Sequence, residues 1–172
     1  MHETHKFLIG SIPHLGTGMM FEDIVASPDN PEGGIPHDEF EGTHDLIQWL
    51  FPTMTASKCQ PQTPVLTWED VTAMHADEMI PPAMVRANQF MRRFYSGPVG
   101  KPRLLAHRDH NHLRITRVIE SLSLLHSPQL AQEFLRFINQ TNSSNGYPVN
   151  MDSVVFWNKA RFYGDRMRAI NR

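Results

Sequence analysis

Apolar residues along this chain recur at helical spacing, and no stretch shows the strict alternation of a half-buried strand. The clearest pattern runs from His110 to Leu125, where Ile115, Val118, Ile119, Leu122 and Leu125 fall on one broad face at 100° per residue. Leu113 and Leu124 fall on nearly the opposite side, so the helix is expected to be central, with neighbours on both sides. Asp109 is placed to cap it, its carboxylate accepting the amides of residues 111 and 112. Asn111 points toward the main apolar face and is expected to be buried.

Other helices follow from the same reading. Met20, Phe21, Ile24 and Val25 predict a short helix from about Gly18 to Ala26, whereas residues 1–18 read as loose. Leu46, Ile47 and Leu50 predict a helix from about Asp38 to Phe51, stopped by Pro52. Trp49 lies almost opposite their shared face, which implies a second element over it or a pocket beside it. Three prolines and no period make residues 52–66 a connecting loop. The run Thr67-Trp68-Glu69-Asp70 reads as a capping box, opening a helix whose inward face includes Trp68, Val71, Met74 and Met79, with His75 among these faces. A helix from about Pro82 to Tyr95 follows. Ser127-Pro128 opens another, with Leu130, Phe134, Phe137 and Ile138 inward, and a last helix with a basic end runs from about Met151 to Ile170. Residues 27–36 and 96–108 read as loops, the second one basic. The expected fold is all-α: a bundle of about six helices around the central one. The expected division is an N-terminal segment, 1–36, and a helical domain, 37–172, within one globular body.

Composition narrows this picture. At 172 residues and 40% apolar, the chain can bury a core without staples. No apolar run approaches the ~20 residues of a membrane span, and no signal peptide is read at the N-terminus. Cys59 is the single cysteine, which rules out an intramolecular disulfide and fits a reducing, cytoplasmic setting. Net charge is −2, but residues 1–85 hold two lysines against 13 acids, whereas residues 86–172 hold 14 Lys/Arg against five acids. The arginines lack the interleaved aromatics of a nucleic-acid binder, so no nucleic acid is expected as a partner.

The mouth of the central helix carries the candidate chemistry. Arg114 and Arg117 lie between two apolar faces, where a guanidinium is costly unless an anion compensates it. His44 and Gln48 sit one above the other at i, i+4 on the earlier helix. The leading reading is a ligand-binding module with a cleft between the two helices. There Arg114 and Arg117 hold an anionic group of a small molecule or peptide. His44, Gln48 and Asn111 supply directional hydrogen bonds, and Trp49 and Trp157 supply aromatic surface. The alternative is an enzyme in which His110 or His112 acts as general base, oriented by Asp109, with Arg114 stabilising developing charge. The third reading is a structural or interaction module. A metal at His107, Asp109, His110 and His112 is not expected, because His110 and His112 diverge by about 160° on a regular helix. No cofactor is expected either.

The segments HDLIQWLFP (44–52) and HNHLRITRVIESL (110–122) resemble the conserved domain of the opioid growth factor receptor family. The order of the intervening features, with the Phe94-Tyr95 pair ending a helix and VVFWNKA further on, extends the resemblance over roughly residues 38–162. It implies a receptor-like domain; in animals, it implies reception of an endogenous opioid peptide and association with the nucleus and its membranes. A chain this short, without tail repeats, is expected to be a stand-alone, microbial member. From the divergent histidines, excess EDTA is expected to leave the melting temperature unchanged; a fall of several degrees, with zinc or iron in the purified protein, would contradict this.

Overall fold

The computed structural model describes residues 1–26, 35–96, 107 and 109–171. Every regular element among them is a helix: α1 (Glu3–Leu8), α2 (Phe21–Val25), α3 (His37–Gly42), α4 (Leu46–Leu50), α5 (Trp68–His75), α6 (Ile80–Ser96), α7 (Asn111–Leu125), α8 (Pro128–Ser144), α9 (Met151–Ala160) and α10 (Tyr163–Ile170). Among the described residues, no helix is long and apolar enough to cross a membrane. The chain divides into two compact units, Met1–Phe90 and Met91–Arg172. Of the loops expected at 27–36 and 96–108, residues 27–34, 97–106 and 108 lie outside the described residues.

In the first unit, the N-terminus is not loose. His2 Nδ1 caps α1 by accepting the amide of Thr4, and Phe7 and Leu8 are buried. His5 Nε2 meets Asp77 Oδ2 at 2.9 Å, tying α1 to the turn before α6. That anchor joins residues 72 positions apart, so local spacing could not reveal it. The long helix expected over 38–51 is two short ones. Thr43 closes α3 through both its amide and its hydroxyl, each bonded to the Glu39 carbonyl (2.9 and 2.8 Å). The chain then turns through His44 and Asp45 before α4, which packs on α1.

The capping box of α5 is formed in full: Thr67 Oγ1 accepts the Asp70 amide, and Asp70 Oδ2 accepts the Thr67 amide at 2.9 Å. That helix ends at His75, which is exposed rather than placed in the core, and Met79 is likewise exposed in the following turn. α6 begins at Ile80 with Pro81 and Pro82 in its first turn, where a missing N–H costs nothing.

The second unit is organised by α7, which packs against α8, α9 and α10 and buries eleven of its fifteen residues. Leu113 departs from the expected double apolar face and is exposed, whereas Leu124 is buried. Ser127 caps α8 by accepting the Leu130 amide at 3.2 Å, as its Ser-Pro pair predicts.

The last predicted helix is broken between Ala160 and Tyr163. Breaking a helix frees backbone polar groups that need partners. Ser123 of α7 supplies them: its hydroxyl donates to the Arg161 carbonyl (2.8 Å) and accepts the Gly164 amide (3.1 Å). This exchange draws α10 against α7 so closely that a Cβ at Gly164 would fall inside van der Waals contact with the Ser123 carbonyl. Gly164→Ala is therefore expected to cost about 3 kcal/mol, the upper part of the usual overpacking range. Ser123→Ala is expected to cost about 1 kcal/mol, a typical net hydrogen bond. Urea unfolding of both variants checks this; a Gly164→Ala midpoint equal to that of the parent would mean the helices can separate freely.

Candidate functional site

The first unit contains a cavity of about 280 Å³ lined by Glu3, Leu15, His44, Asp45, Trp49, Gln60, Gln62, Thr63 and Pro64. Its walls come from three local arrangements. One is the first turn of α1, which carries Glu3. The second is the His44-Asp45 turn that leads into α4. Gln48, buried one turn later, secures it: with its amide oriented to suit its neighbours, the nitrogen donates to the carbonyls of His44 (3.1 Å) and Asp45 (2.9 Å), and the oxygen accepts from the Ser57 hydroxyl (3.2 Å). Carbonyls only accept, so the opposite orientation would leave oxygen facing oxygen.

The third wall is the proline-rich loop. Ser57 Oγ accepts the Gln60 amide at 3.2 Å, the Gln60 carbonyl accepts the Thr63 hydroxyl at 2.7 Å, and Gln62 Nε2 donates to Gln60 Oε1 at 2.9 Å. Ser57 thus holds the loop to Gln48, and through it to the α4 turn.

Behind the cavity lies His14, which is wholly buried. Its ring stands edge-on to Trp49 (centroids 5.3 Å) and Phe7 (6.2 Å), and Phe7 in turn meets Trp49 (5.6 Å) and Phe21 (5.8 Å). Such perpendicular pairs set a ring edge against a negative π-face. His14 Nδ1 accepts the backbone amide of Thr17 at 3.2 Å, so the ring proton sits on Nε2, which faces Asp45 Oδ2 at 3.5 Å. Burial holds the imidazole below its ordinary protonation range; Asp45 opposes this but does not overcome it.

The other expected site residues lie in the second unit. Asp109 Oδ1 accepts the Asn111 backbone amide at 2.9 Å and the Asn111 side-chain amide at 3.2 Å. The His112 amide goes instead to the Asp109 backbone carbonyl, so the carboxylate serves one of the two amides expected of it. Asn111 is buried and accepts from Arg114 Nη1 at 3.4 Å; Arg114 is buried too. Arg117 is half-buried. Burial lowers its proton affinity, while Glu120 and then Tyr163 raise it. Glu120 is shifted upward by burial, against Arg117 and Arg166.

His110 is exposed, with Nδ1 3.1 Å from Asp109 Oδ1. His112 goes the other way. It is buried, with Nδ1 3.0 Å from Ser153 Oγ, and its ring stands edge-on to Trp157. Trp157 is wholly buried, and its N–H donates to the His112 carbonyl at 3.0 Å. His44, Gln48 and Trp49 thus belong to one unit, and Asp109, His110, Asn111, His112, Arg114, Arg117 and Trp157 to the other.

The opioid growth factor receptor (OGFr) conserved region matches residues 3–99, more than half of the chain. The chain belongs to the opioid growth factor receptor family. It is 31% identical over 148 residues to the opioid growth factor receptor of Homo sapiens, an alignment covering 77% of this chain and 21% of that protein. It is 32% identical over 136 residues to the receptor of Mus musculus, covering 70% and 20%. The chain therefore spans about a fifth of the length of the curated relatives it matches. No solved structure matches. The conserved region begins at residue 3, well before HDLIQWLFP, and ends before HNHLRITRVIESL. It nearly coincides with the first unit and contains every described residue lining the cavity.

Of that lining, sequence reasoning singled out His44 and Trp49 and missed the rest. Glu3, Asp45 and the 60–64 loop are brought together by folding across some sixty positions. A usable signal was His14 within an otherwise apolar and glycine-bearing stretch, Ile12-Pro13-His14-Leu15-Gly16.

His14 has a pH signature. Its folded protonation constant lies below the ordinary value of 6.5, so the stability it contributes is fully present above that pH and is lost as the pH falls below it. His126 is shifted in the same direction, chiefly by burial. The melting temperature is therefore expected to fall as pH drops from 6.5 toward 5. The wholly buried His14 contributes at most about 1.4 kcal/mol per pH unit. His14→Gln keeps an acceptor for Thr17 and a donor for Asp45 and is expected to flatten part of that slope; parallel curves for parent and variant from pH 8 to 5 would contradict the assignment.

Proposed function

We propose that this chain is a ligand-binding domain of the receptor type and that it receives a peptide at the cavity of the first unit. The observation that carries the reading is the coincidence of the family's conserved region with that cavity: all nine described lining residues, Glu3 to Pro64, lie within residues 3–99. The relatives are opioid growth factor receptors, which supports a ligand-receiving role. At about 280 Å³ the cavity is at the small end for ligand sites, the size for one anchoring group rather than a whole ligand. Such anchoring suits a peptide, whose remaining residues lie along the surface around the mouth.

A small anion held by Arg114 and Arg117 is supported less well. It would have to displace Asn111 from Arg114 and compete with Glu120 for Arg117.

Calorimetric titration with an opioid growth factor peptide tests the proposal. Binding is expected to weaken about tenfold in His44→Ala, roughly 1.4 kcal/mol, with the melting temperature retained because His44 is exposed. Arg114→Lys is expected to leave the affinity unchanged. No heat of binding with the unaltered chain, or a loss confined to the Arg114 variant, would remove this reading.

A further inference from the structure

The cavity of the first unit has a chemical bias that its size alone does not convey. Glu3 and Asp45 both line it, and among the described residues no lysine or arginine does. Among the described residues, neither carboxylate has a lysine or arginine partner. Asp45 occupies the N-cap position of α4, yet its side chain makes no capping bond; it is turned toward His14.

The buried histidine decides what that contact means. With Nδ1 accepting the Thr17 amide, His14 presents Nε2–H to Asp45 from the protein side at 3.5 Å, and Nε2 has no hydrogen-bond partner closer than that. A neutral ring orients the carboxylate without cancelling its charge. Protonating Nδ1 would break the Thr17 bond in a site that is wholly buried. Among the described residues, Asp45 therefore has no cationic partner at the wall of a cavity that also has the apolar surfaces of Leu15, Trp49 and Pro64. The surrounding unit adds to the field: residues 1–90 hold three Lys/Arg against 13 acids, a net of −10.

We propose that this cavity is a subsite for an ammonium group on an apolar stem, with Asp45 and Glu3 as its counter-charges and Trp49 beside the stem. An aliphatic stem next to an aromatic ring and a cation next to carboxylates are the two contacts such a group makes best. The chemistry is shared by the terminal amine of a peptide and by a lysine side chain. This deepens the receptor reading and rests on it for the identity of the ligand, but the subsite is testable without the peptide.

Amide NMR shifts of the full chain, titrated with n-butylamine and separately with n-butanol, read the subsite directly. Butylamine is expected to shift the signals of residues 44–49 and 60–63 at least tenfold more tightly than butanol, and to weaken severalfold between 50 and 500 mM salt. Asp45→Asn is expected to abolish this binding and Glu3→Gln to weaken it about threefold, while Asp23→Asn, an exposed acid away from the cavity, leaves it unchanged. Equal binding of amine and alcohol, unchanged binding in Asp45→Asn, or shifts produced by calcium chloride but not by the amine would each overturn the proposal. The opioid growth factor peptide then separates the sources. Loss of its binding on N-acetylation assigns the terminal amine; retention with competition by butylamine assigns a lysine side chain. Peptide binding indifferent to both would refute the ammonium subsite and leave the receptor reading standing. Butylamine binding without peptide binding would do the reverse.

Discussion

A single backbone amide, that of Thr17, determines much of the first unit. By donating to His14 Nδ1 it selects the ring's tautomer, and the tautomer selects which face of the histidine meets Asp45. The same ring is packed edge-on between Phe7 and Trp49, so its orientation is set by sterics as well as by hydrogen bonding. Burying an imidazole this completely is tolerable because it remains neutral and partly bonded. The cost of that burial also keeps it from becoming a counter-ion to Asp45. One packing constraint thus gives the unit its aromatic core, the floor of its cavity and the sign of the cavity's charge.

The second unit solves a different problem. Its central helix carries Asn111, His112, Arg114, Ser121 and Ser123 inside, and buried polar groups need partners. Part of the answer is local: Asp109 holds Asn111, and Asn111 receives Arg114. The rest comes from later in the chain. Ser153 meets the His112 ring, the Trp157 indole donates to the His112 carbonyl, and the Ser123 hydroxyl completes the backbone where α9 gives way to α10. In the fold, the buried polar groups of this arginine-bearing helix are met partly by one another and partly by groups from later in the chain.

This contrast shifts the weight of the functional reading. A polar residue on an apolar helix face signals that something must satisfy it, but not whether that partner is protein or ligand. For Asn111, His112 Nδ1 and Ser123 the protein supplies it. For Asp45 and Glu3, which no pattern singled out, the protein places carboxylates around a cavity, and among the described residues it supplies no lysine or arginine beside them.

The sequence by itself determined the all-helical class, the central place of α7 within the second unit, the capping box at Thr67 and Asp70, the Ser127-Pro128 start of α8 and the family, because these rest on spacing and on contacts within three or four residues. Only the tertiary structure decided that two predicted helices are each broken in two, since the backbone groups at the second break are satisfied by Ser123, some forty positions away. It alone converted a loose-looking N-terminus into α1, through His5 and Asp77. And it alone assembled the cavity, whose residues lie as far apart as Glu3 and Pro64. Local patterns record what each segment must bury; which distant group arrives to meet a buried polar atom depends on the path of the whole chain.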